Sequence, residues 1–167
     1  MGQFVNAVDW MADGVVAGGN GLWRMSTPCP PSAVPFGAAC AGTGGTNTLA
    51  ANGLPWTGST FSMTATGLAP LSLIAVDAGF APLGPLSLTS IGLPNARPGC
   101  FLHLAPDYYQ LGASTTGEHT VAWTIPDSPT FAGLDVYWQF VVLEIDASLA
   151  ILETTSTNAL QLTIGSF

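Results

Sequence analysis

The sequence predicts an all-β protein, a β-sandwich of Ig-like or jelly-roll-like type with about eight to ten strands and an extended N-terminal arm. Three observations carry this expectation. From Phe36 onward, short apolar runs are cut by Gly, Pro and Asn at a spacing of roughly 8–12 residues. Several runs alternate apolar and polar side chains with period two, as a strand with one buried face does. Helical periodicity is nearly absent, and only residues 143–152 have a mixed pattern that could hide a helical turn.

Residues 1–27 read as a separate apolar arm. Phe4, Val8 and Trp10 fall on one face of an extended segment at period two. Val15-Val16-Ala17 and Leu22-Trp23-Arg24-Met25 flank Gly18-Gly19-Asn20-Gly21, a turn signal that favours a hairpin. Residues 28–35 hold four prolines between Pro28 and Pro35, which forbid helix and suit an extended tether. Residues 36–167 then form the sandwich. Its expected strands are 46–51, 60–66, 71–77, 86–90, 100–104, 118–125, 134–145 and 159–164.

Two of these segments are informative. In 118–125, His119, Val121, Trp123 and Ile125 share one face. In 134–143 both faces are apolar, so the second face should be covered as well, by the arm or by a neighbouring chain.

Composition narrows the function classes. Charged residues make up 7% of the 167-residue chain, and Arg24 and Arg97 supply all the strong positive charge against ten acidic residues, for a net charge of −8. Nucleic-acid binding needs many Lys or Arg contacts to phosphate, and anionic membranes need a basic patch, so neither partner fits. No apolar run reaches the roughly 18 residues that span a bilayer. Met1-Gly2-Gln3-Phe4 opens without a basic or strongly apolar leader, yet the lysine-free, Ser/Thr/Gly-rich chain favours export to the extracellular space or cell surface. The hydroxyl residues permit O-linked sugar, whereas no N-x-S/T sequon occurs.

Cys29, Cys40 and Cys100 allow one bridge and leave one thiol over. Four stretches then bear a resemblance. They are Phe36-Gly37-Ala38-Ala39-Cys40-Ala41-Gly42-Thr43-Gly44-Gly45, Pro98-Gly99-Cys100-Phe101-Leu102-His103-Leu104-Ala105-Pro106-Asp107, the segment from Thr124-Ile125-Pro126-Asp127 to Tyr137-Trp138-Gln139, and the closing Ser156 to Gly165. Together, in this order, residues 36–167 resemble the recurrent, uncharacterised β-rich domain of secreted planctomycete proteins. The family's first Gly-Cys-Pro-Gly-like motif stands here as Ala39-Cys40-Ala41-Gly42. The resemblance implies export, a β-sandwich and a Cys40–Cys100 disulfide, and it brings no catalytic residues.

No enzyme is expected. His103 and His119 each lie inside a strand, where a lone histidine is usually packed rather than a base, and no nucleophile elbow, HExxH or phosphate loop occurs. No cofactor is required; Ca2+ is the one candidate, through Asp107, Asp127, Asp135 and Asp146 at loops and strand ends. Two functions remain. The first is an extracellular structural subunit whose arm, anchored by Phe4, Val8 and Trp10, adds as a strand to the next copy and builds a head-to-tail filament. The same arm could fold back on its own domain. The second is a secreted adhesion or carbohydrate-binding module, with Trp56, Tyr108 and Tyr109 as glycan contacts.

Overall fold

The computed structural model describes residues 15–18, 21–24 and 29–166. The expected anchors Phe4, Val8 and Trp10 lie outside the described residues. Strands β1 (Val15–Gly18) and β2 (Gly21–Arg24) pair with each other, from Val15 opposite Arg24 to Gly18 opposite Gly21.

The fold is all-β. Its axis is β13 (Asp135–Ile145), the two-faced apolar strand. On one side it pairs antiparallel with β8 (Ser72–Gly79), and β8 pairs in turn with β11 (Tyr108–Ser114). Its other side is shared by β15 (Ala159–Thr163) and β14 (Ile151–Ser156). Strand β3 (Ser32–Phe36) pairs with β15 and closes that flank. The second sheet is β12 (His119–Thr124), β7 (Thr60–Thr66) and β6 (Thr48–Ala51), in that order.

The two sheets enclose a core built from alternate residues, as period two requires. Phe61, Met63, Ala65 and Val121 come from the small sheet, and Ile74, Val76, Val136, Trp138, Phe140 and Val142 from the large one. Asn158 ties the flank beneath β6, because its Oδ1 accepts from Leu49 N at 2.8 Å and its Nδ2 donates to Leu49 O at 3.0 Å.

A third layer corrects one expectation. The second face of β13 is covered by the chain's own β9 (Ala81–Ser87) and β10 (Phe101–Ala105), which pair antiparallel over the large sheet. Leu88, Leu102 and Val141 pack there with the Cys40–Cys100 disulfide, whose Cα atoms are 5.3 Å apart. A single residue pins this layer. Gln139 is fully buried; its Oε1 accepts from His103 N at 2.8 Å, and its Nε2 donates to Phe101 O at 2.9 Å and Thr157 O at 2.7 Å. A buried amide is tolerated only when satisfied in this way.

Around this frame, β4 (Ala41–Gly42) and β5 (Gly45–Thr46) form a small hairpin held by buried Glu144, which accepts from Thr43 N and Thr43 Oγ1 at 2.9 and 2.7 Å.

Other local expectations also change. Part of the proline-rich tether is strand β3, and Pro35 is accommodated because it stands on a sheet edge. The strand sought at 86–90 lies earlier, as β9. Residues 143–152 hold no helix: they are the end of β13, a turn in which Asp146 Oδ1 accepts from Ser148 N and Ala150 N at 2.8 and 3.0 Å, and the start of β14. The described residues contain one short 3-10 turn, η1 (Pro129–Phe131), and no helix long and apolar enough to cross a membrane.

Candidate functional site

The strand β11 has no guard, and it shares this with β12, the facing edge of the small sheet, which is one residue shorter. The β11 sequence, Tyr-Tyr-Gln-Leu-Gly-Ala-Ser, contains no charge and no proline, and it pairs with β8 without a register shift over seven residues. No strand among the described residues pairs with its other side. Sheet edges are normally blunted by Lys, Pro, bulges or short length, since their unpaired N–H and C=O groups are templates for another strand. Proline guards β3 and β9, at Pro35 and at Pro82 and Pro85, and β6 has only four residues.

Alternation sends consecutive residues of β11 to opposite faces. Tyr108 and Gln110 face inward, toward β12, whereas Tyr109 and Leu111 lie on the outer face, 70% and 73% exposed. Tyr108 and Tyr109 therefore cannot form one flat platform. Trp56 stands apart from both: it is half-buried and bridges Gly165 in a loop outside the cleft described next.

Between β11 and β12 the two sheets diverge into a cleft of about 400 Å³. At its far end the strands converge, because Gly112 backs onto the His119 ring, which packs edge-on against Phe140 at 6.0 Å. A side chain on residue 112 would collide with that ring, so the glycine sets how closely the edges approach. The turn beyond is fixed by Ser114, whose Oγ donates to Glu118 O at 2.7 Å. At the open end, Phe80, Tyr108, Trp123, Phe131 and Leu134 form the walls and Trp138 the floor. The Trp123 and Trp138 rings lie 5.8 Å apart, and the Trp138 Nε1–H is buried without a hydrogen-bond partner. Asp107 stands at the mouth, where its Oδ2 accepts from Phe80 N at 2.9 Å and fixes the turn after β8.

The carboxylates considered for Ca2+ are dispersed among local tasks. Asp135 accepts from Thr163 Oγ1 at 2.6 Å and Gln161 Nε2 at 3.1 Å, Asp146 caps its turn, and Asp127 packs near Gly58. No group of three or more His, Cys, Asp or Glu converges among the described residues. Local hydrogen bonds, from the Ser148 hydroxyl first, hold the Asp146 carboxyl below its usual range.

His103 is buried, its pKa lowered by desolvation against a partly opposing hydrogen bond to Ala38. The unusual titratable group is Asp77, buried on the outer face of β8 and pushed up to about 7 by desolvation. Cys29 is a free thiol, half-buried beside the bridge from Cys29 to Ser166.

Sequence reasoning found Tyr108 but missed Phe80, Gln110 and Phe131 as cleft residues, and treated Trp123 and Trp138 as core alone. Their shared cleft depends on how far two sheets splay, which no local pattern encodes. Comparison with family models, with curated proteins and with solved structures finds no match for this chain.

Proposed function

We propose that the protein is an extracellular structural subunit that assembles head-to-tail, the N-terminal arm of one copy adding as a strand to the free edge of β11 in the next. The observation that carries this reading is the unguarded edge itself: a seven-residue strand paired on one side only, with Tyr108, Tyr109 and Leu111 exposed. Strand addition supplies main-chain hydrogen bonds to such an edge, and alternate side chains supply the fit.

The order β11-β8-β13-β15-β3 supports the head-to-tail arrangement. The arm leads into β3 on one flank, while β11 lies on the other, about 19 Å away at four strand spacings. Donor and acceptor are therefore different segments of one subunit, the heterologous arrangement from which a head-to-tail contact propagates. The disulfide and the charge-poor chain suit an oxidising, extracellular setting. They also agree with membership of the secreted planctomycete domain that residues 36–167 resemble.

Deleting residues 1–27 leaves every core residue named above in place. The truncated chain is expected to remain folded and monomeric by sedimentation, while the full chain forms polymers visible in negative stain. Identical polymers from the truncated chain would refute the reading.

A second reading, a carbohydrate-binding module, is favoured by the Tyr108 ring standing beside Asp107 and Gln110 at the cleft mouth, since sugars stack on rings and bond to carboxylate and amide groups. It predicts glycan binding that is lost in Tyr108→Ala. An array with no bound glycan would remove it.

A further inference from the structure

We propose that the cleft between β11 and β12 is the anchoring pocket of the assembly contact, and that it takes the indole of Trp10 from the neighbouring copy. This rests on the strand-addition reading and makes its chemistry specific. A strand laid along the free edge of β11 presents every second side chain on the face that Tyr108 and Gln110 share, directly over the cleft.

The size of the mouth restricts the occupant. Only two inward positions of β11 line the cleft, Tyr108 and Gln110, a span of about 7 Å along the strand. Phe4 and Trp10, six residues apart, are separated by about 20 Å when extended, so one cleft cannot hold both. The chemistry of the walls then selects between them. Phe80, Tyr108, Trp123, Phe131 and Trp138 offer ring faces and edges, which suit any aromatic guest in offset or edge-on geometry. Asp107 adds a carboxylate at the mouth, with Oδ2 engaged by Phe80 N. Carboxylates accept at two oxygens, so Asp107 can also take the indole N–H of a tryptophan. Phenylalanine has no atom to offer it. Val8, two residues before Trp10 in the sequence, would in an extended strand then run along the edge toward Gly112.

The cleft also explains why an aromatic anchor is needed at this point. Between the sheets lie close-packed core side chains, but at this end Trp123 and Trp138 keep ring surface open to the cavity. An inserted indole extends their stack and seals that end of the core from water. Aromatic anchors in desolvated pockets are where binding energy concentrates in protein contacts.

The test uses the full-length chain and its critical concentration for polymerisation. Trp10→Ala is expected to raise it by about thirtyfold and Phe4→Ala by about threefold or less. Gln110→Trp, which fills the mouth from an exposed edge position, is expected to match Trp10→Ala with an unchanged far-UV spectrum. Combining the two should add little, since both remove one contact. If the two effects instead multiply, or if Trp10→Ala polymerises like the parent, the pocket assignment falls while strand addition stands. If the parent never polymerises, it is the strand-addition reading that falls. Quenching of tryptophan emission by xylohexaose or chitohexaose, with polymerisation of Trp10→Ala unaltered, would overturn the assignment in favour of sugar. Concentration-independent burial of Trp10 in a monomer would overturn it in favour of the chain's own arm.

Discussion

Asp77 faces the seam between the large sheet and the β9–β10 layer, with Gln139 and Tyr109 as its neighbours across the strands. Burial raises its pKa from 3.8 to about 7, so the folded protein retains a proton that the unfolded chain releases. The sign follows from linkage: this group does not penalise folding below about 3.8, the penalty grows as pH rises, and it is complete above about 7. Asp77→Asn keeps the shape and removes the charge. It should stabilise the fold at pH 8 by up to roughly 4 kcal/mol and change little at pH 4, as read by urea denaturation. Equal stabilisation at both pH values would show that desolvation of Asp77 is not the cause. None of this was legible in the sequence, where Asp77 is simply the last residue of the expected strand 71–77. Only the third layer buries it. The cysteines were more readable: the resemblance implied the Cys40–Cys100 bridge that the structure contains, and a closed loop of this length is worth about 4 kcal/mol in the chain-entropy treatment.

Among elements, legibility followed alternation. Strands β7 and β12 were plain because Phe61, Met63 and Ala65, then Val121 and Trp123, recur at every second position, with Ser62 and Thr64 between in β7 and the small Ala122 between in β12. Strand β11 was missed because Tyr108-Tyr109-Gln110-Leu111 does not alternate. An edge strand whose outer face stays exposed is under little pressure to do so. Strand β14 was missed for a related reason: Glu153, Thr154, Thr155 and Ser156 are polar, yet Thr154, Thr155 and Ser156 are buried and satisfied by hydrogen bonds such as Thr154 Oγ1 to Pro94 O at 2.6 Å. Polar burial defeats a hydropathy pattern. The missing guard on β11 leads to a prediction at this scale. Leu111→Lys places a charge on the free edge without touching the core, since Leu111 is 73% exposed. It should abolish polymerisation while moving the thermal midpoint by less than about 2 °C. Polymerisation at the parent's concentration would remove β11 as the acceptor.

For the whole molecule, the fold class was correct, but the third layer was not foreseen. The sequence showed that both faces of residues 134–143 had to be covered and assigned the task to the arm or to another chain. Segment 81–105 performs it instead, and its Ala-Pro-Leu-Gly-Pro-Leu stretch concealed a strand behind two prolines. Self-covering of β13 leaves the two flanks of the sandwich open, and of these only the β11 flank has a seven-residue edge without proline. The net charge of −8 opposes any contact between copies. Assembly should therefore strengthen as pH falls toward 4 or as salt rises, measured as a lower critical concentration by light scattering. Weakening under both changes would contradict a contact made by apolar and neutral surfaces. The most direct measurement is hydrogen exchange at the β11 amides that point away from β8, followed as protein concentration rises. Strand addition predicts fast exchange in the dilute monomer and strong protection once copies associate, with the amides paired to β8 little changed. Equally fast exchange of the outward amides in the associated state would contradict it.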